Sequence, residues 1–121
     1  MAKSVKVQVS GQFTIDGIQD GSEDFDSSVS FEYAQRRRLD GKVKDTDGDS
    51  VVSLAGITPK MVMIKNVGGG SLSAKLSGHA DQSVNILPGS FMVLATGSVT
   101  GISLSTGSTT DVFYDMLILG D

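Results

Sequence analysis

His79 is the only histidine in the chain. It stands in Ser77-Gly78-His79-Ala80-Asp81, where the Gly and the Asp predict a turn. Nucleophilic catalysis would need a serine hydroxyl beside the imidazole and a carboxylate behind it. Serine and threonine are so frequent here that such a neighbour arises by chance, and no Gly-x-Ser-x-Gly elbow opens a helix. His79 therefore reads as an exposed polar turn residue, and the chain as a protein that is not an enzyme.

Asp45-Thr46-Asp47-Gly48-Asp49-Ser50 places carboxylates at alternate positions, as the opening of a calcium loop does. The match stops there. Ser50 stands where that loop needs Gly, Gly56 where it needs a bidentate Glu, and no helices flank it. Asp45, Asp47 and Asp49 are the weak metal candidates, set against a solvated hairpin turn. No metal and no cofactor is expected. Gly68-Gly69-Gly70 follows an apolar stretch as a phosphate loop would, but it lacks the Lys-Ser/Thr pair and the helix. It reads as a flexible hairpin connection.

Arg36-Arg37-Arg38 is the one concentrated charge run. On a strand, adjacent side chains point to opposite faces, so the three cannot share a surface; in an extended loop they can. An acidic protein surface, a phosphate or a lipid head group would each suit them. Internal pairing with the acidic stretches Asp16 to Asp26 and Asp45 to Asp49 would absorb them instead. Arg36, Arg37 and Arg38, with Lys3 and Lys6 near the N-terminus, are the candidate partner contacts.

The elements that must carry these residues are strands. Val5, Val7 and Val9 alternate with Lys6 and Gln8, the period-2 pattern of a half-buried strand, and Ser10-Gly11 suggests a bulge or hairpin. Asp16 to Ser28 is a loop by composition, and Val29, Phe31 and Tyr33 resume the alternation. Ala34 to Leu39 is the best helix candidate, though short and uncapped. Short strands follow over Val51 to Leu54, Met61 to Val67, Leu72 to Leu76, Val84 to Leu87, Phe91 to Leu94 and Ile102 to Leu104. Pro88-Gly89 suits the centre of a type II turn. Val112 to Leu119 is apolar on both faces except for Asp115, which predicts a central strand. Phe13, Phe25, Phe31, Phe91 and Phe113 mostly sit in such apolar patterns, as core residues would. That weakens a sugar-binding reading, which needs an exposed ring.

Eight to ten short strands with regular turn signals predict an all-β, antiparallel β-sandwich. A length of 121 residues predicts one domain over residues 1–121, with a short N-terminal arm at residues 1–4. The formal net charge of −4 disfavours nucleic acid as a partner. With no cysteine there are no disulfides. The first residues lack the apolar core of a signal peptide, and no apolar run is long enough for a membrane-spanning helix, so no membrane partner is expected.

Met63-Ile64-Lys65-Asn66-Val67, Val84-Asn85-Ile86-Leu87-Pro88-Gly89-Ser90-Phe91 and the strand Val112 to Leu119 resemble small virion structural proteins of tailed bacteriophages. Capsid decoration (cement) proteins are the nearest group in size. The likeness covers about the C-terminal half of the chain. It implies a sandwich of jelly-roll type that binds the major capsid protein or another virion protein. It further implies a homo-oligomer, a trimer above all, at the capsid surface after assembly in the host cytoplasm. A tail or neck component is the alternative within the virion, and a carbohydrate-binding module the alternative of another class.

Overall fold

A computed structural model describes residues 3–14, 22–78, 83–95 and 99–121. The residues group as two compact units, Met1–Glu32 and Tyr33–Asp121. The first unit is built on β1 (Lys3–Thr14) and β2 (Ser22–Tyr33), which pair as a two-stranded sheet. β1 keeps Val5 and Val7 half-buried and Lys3, Lys6 and Gln8 exposed. Lys3 and Ser4 open this strand, and β1 runs through Gly11. Residues 22–28, a loop by composition, form the first half of β2. Pairing with β1 gives their backbone its ladder, and this outweighs the low strand propensity of Asp and Glu.

The second unit holds eight strands: β3 (Gln35–Val43), β4 (Ser50–Val52), β5 (Pro59–Gly68), β6 (Leu72–Ser77), β7 (Val84–Ile86), β8 (Phe91–Leu94), β9 (Gly101–Ser105) and β10 (Val112–Gly120). They form two four-stranded sheets, β3-β10-β5-β8 and β4-β9-β6-β7, whose pairings are antiparallel. Successive strands alternate between the sheets except for β6 and β7, which pair within one, and the strand order is that of a jelly roll, an all-β sandwich. The segment from Ala34 to Leu39, the helix candidate, is a bend followed by the start of β3. Its nine-residue pairing with β10 settles the matter, because so short a helix cannot repay its nucleation.

β10 lies between β3 and β5, the central position expected from its two apolar faces. Its inward residues Val112, Met116 and Ile118 meet Val43 of β3 and Val62 and Ile64 of β5. Leu72, Ala74, Leu76, Ile86, Ile102 and Leu104 close the core from the other sheet. Each large aliphatic side chain buried there contributes roughly 1.5–3 kcal/mol.

Among the described residues one buried residue is polar. Asn66 on β5 is fully buried. Its Nδ2 donates to the carbonyls of Gly70 (2.7 Å) and Ile86 (2.8 Å), and its Oδ1 accepts from the Gly68 N–H (3.0 Å). Its backbone N–H donates to Ser90 O, and its carbonyl accepts from the Gly89 N–H, both at 2.9 Å. Asn66 thereby ties the end of β5 to the turn after β7. That turn is the one expected at Pro88-Gly89, closed by Ser90 N–H donating to Leu87 O, with Gly89 at φ 81°.

Gly68, Gly69 and Gly70 have φ of 143°, 106° and 150°. They carry the chain from one sheet to the other, so they do not form a hairpin. A Cβ on Gly69 would overlap the Asp111 carbonyl, so only glycine fits there. The segment is also tied down, since the hydroxyls of Ser108 and Thr110 both donate to Gly69 O at 3.3 Å.

Candidate functional site

The two sheets present unlike surfaces outward. On β4-β9-β6-β7 the outward positions hold Ser73, Ser77, Ser103, Ser105, Lys75 and Asn85, with Val51 at the edge. On β3-β10-β5-β8 the same alternation points out Arg36, Arg38, Asp40 and Lys42 from β3. It points out Phe113, Asp115, Leu117 and Leu119 from β10, and Met61, Met63 and Lys65 from β5. Phe91 and Val93 follow from β8. The register arranges them in rows: Arg36-Leu119-Met61, Arg38-Leu117-Met63-Val93 and Asp40-Asp115-Lys65-Phe91.

This face has a charged edge and an apolar field. Arg36, Arg38 and Lys42 line β3 at exposed positions, with Asp40 among them. Phe91 is 60% exposed, Phe113 49% and Val67 57%, far more than core residues. Met63, Val93 and Leu117 are half-buried beside them, whereas Met61 and Leu119 are buried at the Arg36 end. Val67 continues the outward phase of Met61, Met63 and Lys65, and the register slip between Phe113 and Tyr114 leaves it between their partners Gly68 and Asn66. The expectation that Phe91 and Phe113 lie in the core is thus corrected. Each occupies the outward phase of its strand, opposite Lys65 and Lys42 respectively.

The arginine run lies on a strand, and its members part company. Arg36 and Arg38 point outward, while Arg37 shares the inward phase of Leu39 and Val43 and is half-buried. The Arg37 Nε is buried with no hydrogen-bond partner among the described residues. Arg38 donates to Asp115 Oδ2 at 2.7 Å. Its carboxylate partner therefore comes from the central strand and not from an acidic loop. Lys42 pairs with Asp111 at 3.4 Å. Asp115 stands between Arg38 and Lys65, and that offsets its repulsion with Asp40 directly across the strands. Lys3 and Lys6 are exposed on β1, in the other unit.

A shallow depression of about 570 Å³ lies where this face meets the edge, lined by Asp40, Gly41, Lys42, Val67, Phe113, Tyr114 and Asp115. At Gly41 the Tyr114 ring lies where a Cβ would stand, so glycine lets the ring pack against β3. A second, smaller depression runs over Arg38, Met63, Lys65 and Leu117.

The weak metal candidates do not converge. Asp45–Asp47 is a 3-10 turn, all three carboxylates are exposed, and Asp47 Oδ2 accepts the Lys44 N–H at 2.9 Å. Among the described residues no three His, Cys, Asp or Glu side chains gather as a cation site. β3 and β4 lie in different sheets, so this turn is not a hairpin either. His79 and Asp81 lie outside the described residues.

Sequence reasoning passed over Phe91, Phe113, Val67, Met63, Leu117 and Lys65. The signal was present in β10, where alternate residues Phe113, Leu117 and Leu119 make a second apolar phase. A central strand needs only one such phase if its outer face meets water. No protein-family model matches the chain, and no curated protein or solved structure matches it.

Proposed function

We propose that this chain is a non-enzymatic structural protein of a tailed-bacteriophage virion, of the capsid decoration type, that binds and stabilises the coat lattice. The observation that carries this reading is the division of labour in the sandwich. Its interior is occupied by packed aliphatic side chains, while one outer face keeps large apolar and charged residues in the open. A filled interior leaves the surface as the place of function. Exposed apolar area flanked by charge is what protein contacts use. Repetition over a lattice multiplies a weak contact without any new chemistry.

The test is co-sedimentation with empty capsids of the phage that encodes the chain. Binding that saturates at a fixed ratio to coat protein is the expected result. Co-purification with tails or necks alone would move the protein to that part of the virion, and failure to bind any virion part would end the reading. Size-exclusion chromatography with light scattering checks the trimer that this type implies.

One observation favours a carbohydrate-binding module as the second reading. Phe113 and Tyr114 line the larger depression beside Asp40, Lys42 and Asp115, an aromatic wall with polar groups such as a sugar would need. Strong hits in a glycan array that vanish in Phe113→Ala would favour it over the virion.

A further inference from the structure

We infer that the outer face of β3-β10-β5-β8 is the docking surface, and that its occupant is a protein surface with an apolar centre bordered by carboxylates. This rests on the adhesive role proposed above and names the partner chemistry of the same face.

Arg36, Arg38, Lys42 and Lys65 project from this face against Asp40 and Asp115, a surplus of two positive charges. The whole chain carries −4, so the face is a positive region on a negative molecule. The cations lie to one side, on β3, with Lys65 standing inside the apolar field of Phe91, Met63, Leu117 and Phe113. Such a layout complements an apolar patch with acidic residues along one border and one at its centre.

The apolar end of this face is braced by backbone hydrogen bonds. Val67 and the Phe91 end of β8 are held by the backbone of Asn66, which bonds to Gly89 and Ser90. Asn66 is itself fixed by three side-chain hydrogen bonds. Apolar anchors on a rigid frame lose little entropy on binding, which is how a few aromatic residues come to dominate an interface.

Phosphate-bearing partners fit less well. Arg38 and Lys42 already engage Asp115 and Asp111, and Asp40 stands between them on the same strand. A polyanion would have to approach these carboxylates as well as a net negative chain. A protein surface meets both signs.

The test uses the full chain, isotope-labelled, and four probes: a Glu/Leu peptide, a Lys/Leu peptide of equal length, polyglutamate, and phosphatidylglycerol vesicles. NMR shift changes are expected with the Glu/Leu peptide, centred on Arg36, Arg38, Lys65, Phe91, Leu117 and Phe113. Polyglutamate is expected to bind more weakly, and the Lys/Leu peptide to produce no such pattern. Arg36→Glu/Arg38→Glu should weaken the Glu/Leu peptide about tenfold or more. Phe91→Ser/Phe113→Ser should do the same, while Ser73→Glu/Ser103→Glu on the other sheet leaves it unchanged. Circular dichroism and thermal melting verify that each variant is folded. The inference is overturned by no peptide binding, by equal binding of the Lys/Leu peptide, by shifts centred on Ser73 and Ser103, or by vesicles binding more tightly than the peptide. Capsid binding is scored separately. Peptide binding without capsid binding would reject the virion role and keep the surface, whereas capsid binding unaffected by both face variants would reject the surface and keep the role.

Discussion

The outward faces of the two sheets differ although their inward faces are alike. Both inner faces alternate buried Val, Ile, Leu and Met into one shared core. Outward, β4-β9-β6-β7 presents Ser73, Ser77, Ser103 and Ser105, small hydroxyls that water solvates well. β3-β10-β5-β8 presents Phe113, Phe91, Met63 and Leu117 with a charged edge. Stability asks only that the inner face be apolar. An apolar outer face is not needed to close the sandwich, and the proposed docking surface rests on this asymmetry.

The comparison can be broken first at the core. Ile64→Ala on β5 and Leu104→Ala on β9 are each expected to cost roughly 2–5 kcal/mol in denaturant unfolding, because both are fully enclosed. A marked inequality between them would mean that the sheets do not share the core equally. Asn66→Ala comes next, at roughly 2–3 kcal/mol, since it removes the side-chain bonds to Gly70 O, Ile86 O and the Gly68 N–H in a buried place. The same equilibrium unfolding experiment measures it.

Outer-face substitutions sharpen the contrast because their effects on stability are small on both sheets. Phe113→Ser and Ser103→Ala should each change unfolding free energy by no more than about 1 kcal/mol. Only the first should lower retention on a hydrophobic-interaction column. Arg38→Gln removes the ion pair with Asp115, whose partners are 60% and 31% exposed, and is expected to cost less than about 1 kcal/mol, further reduced by salt.

The smallest effect concerns Asp121. Its carboxylate is held below the ordinary value of 3.8, first by the hydrogen bond from Lys60, then by the charge of that lysine and a backbone hydrogen bond from Ala34, against some desolvation. The Lys60 Nζ lies 2.8 Å away. A carboxylate whose folded pKa is depressed stabilises the fold above its unfolded pKa, and this stabilisation fades as pH falls through the folded value. The effect therefore appears only below about pH 4. In Lys60→Gln, an NMR titration of Asp121 should find the midpoint moved up toward 3.8. An unmoved midpoint would assign the depression to the backbone instead.

Much of the sandwich was legible in the sequence because strand periodicity is local. The alternation in Leu72 to Leu76, the two apolar faces of Val112 to Leu119 and the Pro88-Gly89 turn each depend on residues within a few positions of one another. The site was less legible. Of the arginine run, Arg36 and Arg38 stand on the proposed face, and the carboxylate beside Arg38 is Asp115, far away in sequence. Phe91 and Phe113 looked like core residues because an apolar residue in a strand carries no mark of which way its phase points.

By itself, then, the sequence determined the class: short alternating strands, a turn at Pro88-Gly89 and an enclosed apolar core. Only the tertiary structure decided which alternate positions face the core and which face outward. That choice is made by register, and register is set by pairing between segments as distant as β3 and β10. It is this pairing that brings Arg38 to Asp115, sets Asp40, Asp115, Lys65 and Phe91 in one row, and turns scattered charged and apolar residues into a single face.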